Sequence, residues 1–240
     1  MQIQFWFDFA SPYAYVASER IETLARSHGA TVDWCPLLLG VVLKRKSADG
    51  SPFQRATEAE HRYRRRDIER LCIRNGLPLV WPTGFPRGSL LAMRTAYVAR
   101  EQGWGREFAN QVFRANFVHD RDIAKTEVVA DLIEACKRPS GSVLELAQSE
   151  GNKKAFLDHV EQAIARGIFG VPTVVVGDEL FWATTSWRRR SSGSNASPRH
   201  GRSVAVAPWA IAYARRSSPR MSRDMHAGQI RVAQGRGRGG

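Results

Sequence analysis

The chain opens on a run of apolar and aromatic residues that predicts a buried strand over residues 2–8. Ser11 followed by Pro12 predicts the start of a helix, because serine is a preferred N-cap and proline suits the first helical position. We expect this helix to stop at Gly29 and a second strand to cover residues 31–36. The β-α-β order predicts two parallel strands with a right-handed crossover.

After the second strand the pattern becomes helical, and no strand pattern returns before Gly170. Prolines at 78, 82 and 86 punctuate an extended segment within this region. The predicted helices cover residues 55–75, 89–103, 106–117, 125–137 and 152–167. The sequence therefore predicts a large helical insertion.

Residues 169–177 regain β character, and Gly177-Asp178 predicts a hairpin turn into a last strand that ends at Trp182. The layout is typical of an α/β protein with a thioredoxin-like sheet and a large inserted all-helical domain. We divide the chain accordingly. The core is 1–36 with 168–182, the insertion with its return helix is 37–167, and 183–240 is a basic tail, irregular or disordered.

The formal net charge of +13 is concentrated in that tail. Residues 1–182 hold 24 Lys and Arg against 22 Asp and Glu, whereas residues 183–240 hold 12 Arg and one acid, Asp224. The charge therefore does not indicate a nucleic-acid-binding fold, and we expect only non-specific nucleic-acid contact through the tail.

The composition of the tail also suggests a shifted reading frame. Restoring one lost G before the codon of Ala183 allows a choice of wobble bases that encodes a Gly-Asp-Asp turn and an amphipathic helix. That is the element that a thioredoxin-like fold needs after its last strand. We hypothesise that residues 183–240 are out of frame, and resequencing of the gene tests this.

Three cysteines, Cys35, Cys72 and Cys136, are too far apart in sequence for a Cys-x-x-Cys pair. We interpret them as ordinary buried thiols in a reducing compartment. The N-terminus has no signal-peptide pattern, and no apolar run reaches the length of a membrane span. We therefore expect a cytoplasmic protein without a membrane contact.

Two short motifs could carry chemistry. The Ser11 hydroxyl lies at the mouth of the first helix, where backbone N–H groups and the helix dipole favour negative charge, so it could stabilise the thiolate of a bound molecule. Its alternative role is that of an N-cap alone.

Pro172 opens a strand, and a cis Val171-Pro172 bond would leave the backbone before it able to pair with a peptide-like ligand. The alternative is an ordinary proline at a strand start. The presence of both motifs in one chain indicates a ligand-binding site more specifically than either motif does alone.

Several segments together resemble the 2-hydroxychromene-2-carboxylate isomerase family of DsbA-like proteins, which lies beside the kappa-class glutathione transferases. They are Phe7 to Tyr15, Pro36 to Gly40, Arg66 to Arg70, Trp81-Pro82, Phe85-Pro86 and Gly170 to Thr173. The resemblance covers residues 2–182.

The resemblance implies glutathione as cofactor and an aromatic 2-oxo acid as substrate, as in aromatic-hydrocarbon breakdown. Ser11 would hold the thiolate, the backbone of Val171, before cis Pro172, would pair with glutathione, and Lys44 would lie near it. The substrate would be walled by Trp81, Phe85 and Pro86. Thiolate addition, bond rotation and elimination would produce the isomer, and family members are often homodimers.

Departures from the family pattern and two alternatives accompany this interpretation. Glu60 stands where relatives have a lysine, and the motif expected after the last strand is missing. The first alternative is a kappa-like glutathione transferase with the same site. The second is an inactive thioredoxin-like scaffold whose basic tail binds nucleic acid.

Overall fold

A four-stranded mixed sheet forms the centre of the computed structural model, which describes residues 1–46 and 55–182. Its strands are β1 (Gln2–Phe7), β2 (Thr31–Pro36), β3 (Thr173–Val176) and β4 (Glu179–Trp182), in the spatial order β2-β1-β3-β4. β1 and β2 are parallel, while β3 is antiparallel to both β1 and β4. The predicted parallel pair and the closing hairpin are confirmed.

Eight helices surround this sheet in the part of the chain that is described. Six of them were predicted from the sequence, with ends that differ by a few residues. Their bounds are α1 (Pro12–Ser27), α2 (Leu39–Lys46), α3 (Glu58–Asn75), α4 (Leu90–Glu101), α5 (Gly105–Phe117), α6 (Thr126–Ala135), α7 (Ser140–Gln148) and α8 (Glu150–Ala165).

The two helices that were not predicted, α2 and α7, are short and lack local start signals. No side chain of its own N-cap closes α7, and only Val143 and Ala147 along it are buried. The start of α2 is capped from a distance, because the Leu39 amide donates to the Asp8 carboxylate at 2.9 Å. A cap 31 positions away leaves no trace in the local pattern.

The two faces of the sheet are packed differently. On one face, Phe5 and Phe7 of β1 contact Trp34 of β2 edge-on, and Phe7 also meets Phe113 of α5. α1 lies on the same side, since the Trp34 indole donates to Glu22 at 2.8 Å. On the other face, His159 of α8 stacks on Trp6 of β1. The core thus extends on both sides of the sheet.

Glu60, which stands where the family pattern has a lysine, has a structural role in the first turn of α3. Thr57 and Glu60 form a capping box, in which the Glu60 amide donates to the Thr57 hydroxyl and the Glu60 carboxylate accepts from the Thr57 amide. This arrangement satisfies two of the free amides at a helix N-terminus. Glu60 is exposed, so its position serves the helix start.

The basic tail and the frame-shift hypothesis concern residues 183–240, which lie outside the described residues. Within the described part, none of the helices combines the length and apolar character needed to span a membrane.

Candidate active site

Ser11 occupies the point where the chain leaves β1 and enters α1. It is the N-cap of α1, and its Oγ accepts a 3.2 Å hydrogen bond from the Ala14 amide. The residue is buried, with 7% of its surface exposed. Because Oγ is the acceptor in this bond, the hydroxyl retains its own proton for donation to a further group.

The predicted cis bond between Val171 and Pro172 is confirmed, and both residues are buried. The antiparallel register pairs Trp6 of β1 with Thr173, the first residue of β3. The end of β1 and the beginning of β3 therefore lie at the same edge of the sheet. The loop that leads to Ser11 and the segment that holds Pro172 meet at this edge.

Trp182 closes the last strand at this edge, since it pairs with Thr173 in the β3–β4 ladder. Its indole packs against the segment before Pro172, where a Cβ added to Gly170 would lie 2.8 Å from the Trp182 Nε1. The Gly170 carbonyl accepts a 2.7 Å bond from the Thr173 hydroxyl. Phe169 lies beside the indole, with ring centroids 5.2 Å apart. Trp182 was not among the residues predicted for the site.

Asp8 is a second residue that sequence reasoning missed. Its carboxylate, 4% exposed, accepts hydrogen bonds from the amides of Ala10 and Leu39 and from the hydroxyl of Ser89, each 2.9 Å long. Burial raises the pKa of the Asp8 carboxyl, and these three bonds oppose that effect. The available signal was an acid within an aromatic run that ends a strand.

The loop between Asp8 and Ser11 is also held by α5. The Asn116 side-chain amide donates to the Phe9 carbonyl at 3.0 Å, and the Asn116 oxygen accepts from the Arg87 guanidinium at 3.2 Å. The Arg87 side chain is buried and also donates to the Asp120 carboxylate and the Arg121 carbonyl. The backbone on which Ser11 sits is therefore fixed from several elements.

Lys44 lies exposed near the end of α2. The helix begins at the same edge as Ser11, since Pro36 pairs with Phe7 and the Leu37 amide bonds the Phe7 carbonyl. Lys44 is five positions after Leu39, which places the lysine about 7.5 Å further along the helix axis. Its predicted nearness to a ligand stays a prediction.

The three predicted substrate-wall residues lie in the extended segment before α4. The rings of Trp81 and Phe85 meet edge-on with centroids 5.5 Å apart, and Pro86, joined to Phe85 by a cis bond, is exposed. The Trp81 indole donates to Glu69 at 3.2 Å, and the Arg65 guanidinium lies 4.9 Å from its ring centroid. Trp81 is thus held in place by α3.

The three cysteines lack the exposure and the low thiol pKa of redox-active cysteines. All three are buried, and burial raises the pKa of each thiol, to about 11 for Cys72 and Cys136. A buried thiol with a raised pKa is a poor nucleophile. In residues 1–46 and 55–182, no group of three or more His, Cys, Asp or Glu side chains could hold a metal ion.

A thioredoxin-like sheet with a serine at the mouth of its first helix and a cis proline at the same edge defines a thioredoxin-superfamily protein without a dithiol centre. The model of the DsbA-like thioredoxin domain matches residues 2–190. The chain belongs to this DsbA-like family and, within it, to the 2-hydroxychromene-2-carboxylate isomerase family.

Three comparisons place it there. It is 30% identical over 186 residues to 2-hydroxychromene-2-carboxylate isomerase of Pseudomonas putida, covering 76% of this chain and 88% of that protein. It is 25% identical to the enzyme of the same name from Sphingobium xenophagum, covering 75% and 91%. A solved 2-hydroxychromene-2-carboxylate isomerase superposes with a TM-score of 0.69 at 26% identity, covering 76% and 88%. These relatives support an isomerase-like enzyme.

Proposed function

We propose that this chain catalyses the glutathione-dependent isomerisation of 2-hydroxychromene-2-carboxylate or a similar aromatic 2-oxo acid. The relatives that bear this enzyme name support the isomerase reaction. The observation that carries the proposal is the placement of Ser11 as the N-cap of α1, at the sheet edge that also holds Pro172. A thioredoxin-type redox centre has a thiol at such a position.

The surroundings of Ser11 fit a bound thiolate. The first turn of α1 contains no acidic side chain, so no residue of that turn offsets the positive end of the helix dipole. The Asp8 carboxylate nearby already accepts hydrogen bonds from the Ala10 and Leu39 amides and from the Ser89 hydroxyl. The hydroxyl would donate its free proton to the sulfur and lower the pKa of the bound thiol. Glutathione, when bound, would supply a thiolate that adds to the conjugated double bond and is eliminated after rotation about the resulting single bond.

The rest of the glutathione molecule would lie along the edge of the sheet. The β1–β3 ladder ends at Thr173, so the Val171 backbone lies beyond it and would pair with the cysteinyl part of the tripeptide, next to Pro172. Lys44 would attract a carboxylate. A protein of the same fold, the cytosolic disulfide reductase DsbM of Pseudomonas aeruginosa, is known with GSH, at 18% identity and a TM-score of 0.54.

The aromatic substrate would lie against Trp81, Phe85 and Pro86. Trp81 is kept in one orientation by its bond to Glu69, which suits it to a planar ring system. Arg65, beside the indole, and Arg66 both pair with Glu69, at 3.6 and 2.8 Å, so these three side chains carry one net positive charge, which would complement a substrate carboxylate. Shape and charge on this wall thus both favour an aromatic acid.

An isomerase assay with and without glutathione tests the proposal. We expect the full chain to interconvert the chromene and its ring-opened isomer only when glutathione is present, and the glutathione concentration to stay constant. Stoichiometric loss of glutathione would instead indicate a kappa-like transferase. A version in which residues 183–240 are replaced by the frame-restored helix is assayed in parallel. Absence of glutathione binding by calorimetry in both versions would exclude the proposal.

A further inference from the structure

The carboxylate of Asp8 lies where three helices begin. Its Oδ1 accepts from the Ala10 amide and from the Ser89 hydroxyl, and its Oδ2 accepts from the Leu39 amide. Its own carbonyl accepts from the Ser11 amide at 3.0 Å. Ser11 is the N-cap of α1, Leu39 is the first residue of α2, and Ser89 is the N-cap of α4. Through its side chain and its backbone carbonyl, this one residue therefore joins three helix starts.

Ser89 shows that the link is not a by-product of helix capping. It occupies the N-cap position of α4, yet its side chain makes no capping bond to that helix. A serine cap contributes about 1 kcal/mol to a helix. The hydroxyl is instead directed to Asp8, 81 positions earlier in the chain, and both residues are buried. The N-cap side chain of α4 therefore makes a long-range hydrogen bond in place of a local capping bond.

Only a carboxylate satisfies this arrangement. All three donors are neutral, so burying an ionised group among them is costly. An asparagine would present an amino group, itself a donor, to one of the three, and an apolar residue would leave buried donors unpaired. Position 8 therefore requires an acidic residue. Because burying that acid is costly, packing alone does not account for it.

We propose that Asp8 is a positioning residue that locks Ser11 in register with α2 and with the segment that leads into α4. These three elements carry the parts of the proposed site: Ser11 itself, Lys44 on α2, and the aromatic segment 81–86 that leads into Ser89. The Asn116 bond to the Phe9 carbonyl holds the same loop from α5. For its effect on turnover, this inference rests on the proposed function.

Amide hydrogen exchange tests the positioning directly, because it does not depend on activity. In the full chain carrying Ser89→Ala, we expect the Ala10 and Leu39 amides, and the Ala14 amide that bonds Ser11, to exchange about tenfold faster, which corresponds to one hydrogen bond. Ser89→Thr, which keeps the hydroxyl, should restore slow exchange. The matched control is Ser18→Ala, which removes a buried hydroxyl that donates within α1, to the Tyr15 carbonyl.

The same variants are then assayed for turnover and for glutathione affinity. We expect Ser89→Ala and Asp8→Asn to lower kcat about tenfold while the dissociation constant for glutathione changes less than about twofold. Exchange at Ala10, Leu39 and Ala14 that stays at the Ser18→Ala level would overturn the proposal. Faster exchange with unchanged kcat would also overturn it, and would leave Asp8 a purely structural group. A wild-type chain without glutathione-dependent turnover would refute the proposed function alone, because the exchange rates still decide the positioning.

Discussion

The imidazole of His159 on α8 stacks on the indole of Trp6 on β1, with ring centroids 4.8 Å apart and planes inclined by 20°. Tyr97 and Phe156 complete an aromatic surround, and the His159 Nε2 is buried with no hydrogen-bond partner among the described residues. Burial lowers the pKa of His159 to about 4, and the nearby Arg100 guanidinium adds to the effect, while Asp33 opposes it. The neutral ring is therefore part of the folded core.

This contact predicts an acid-sensitive fold. The unfolded chain protonates His159 near pH 6.5, whereas the folded chain does so near pH 4, so the unfolded state binds more protons between these values. The stabilisation is complete above about pH 6.5 and is lost as the pH falls towards 4. We expect a loss on the order of 2 kcal/mol, since the ring is partly exposed. Urea unfolding from pH 7 to pH 4 measures it.

His159→Phe isolates this effect, because phenylalanine keeps the stacking and cannot titrate. The stability of this variant should fall less between pH 6.5 and pH 4 than that of the wild type. His119→Gln, at an exposed position, is the matched control. Equal pH slopes for wild type and His159→Phe would contradict the prediction.

Ser11→Ala separates the two roles of the serine. Losing the cap should destabilise the protein by about 1 kcal/mol, and losing the thiolate donor should lower glutathione-dependent turnover about a hundredfold, with a smaller effect on glutathione affinity. Ser149→Ala removes an equivalent cap, since the Ser149 hydroxyl accepts from the Asn152 amide at 3.2 Å at the start of α8. Both variants should unfold at similar urea concentrations. A fully active Ser11→Ala variant would mean that the serine is a cap and nothing more.

Gly170→Ala probes the packing of Trp182 on the segment before Pro172. The new methyl group would lie 2.8 Å from the indole nitrogen, so the ring or the segment must move, at a cost of about 1–3 kcal/mol. We expect weaker glutathione binding in calorimetry, because Val171 follows directly. Trp182→Ala in the same chain should remove the clash, so the double variant should be less destabilised than the sum of the single ones. The control is Gly151→Ala, where the methyl group meets open space. Purely additive effects would argue against this contact.

Trp81→Ala tests the aromatic wall. Removing the indole should raise KM for the aromatic acid about tenfold, as expected for the loss of an aromatic contact, and should leave the glutathione dissociation constant nearly unchanged. Trp81→Phe retains a ring but loses the donor to Glu69, so its KM should be intermediate. Tyr63→Ala, an exposed aromatic residue on α3, provides the comparison. If Trp81→Ala and Tyr63→Ala show the same KM, the substrate lies elsewhere.

Local signals in the chain were sufficient for the first β-α-β unit and for two of the site residues. A serine before a proline marks the start of α1 whatever the rest of the fold does, because the cap bond closes within three residues. The strand-opening proline at 172 likewise stands out within its own segment. The apolar run of β1 and the small turn residues at 177–178 placed the sheet. These features depend on neighbours in sequence, and the sequence alone determined them.

The tertiary structure decided the features that depend on distant partners. The start of α2 and the diversion of the Ser89 hydroxyl both follow from Asp8, which lies 31 and 81 positions away from its partners. The lowered pKa of His159 likewise depends on contacts with β1 and α4. Hydrophobic periodicity reports which face of an element is buried, but it does not report which polar group another element brings to that face. For this reason the sequence predicted Ser11, and only the folded chain showed what holds it.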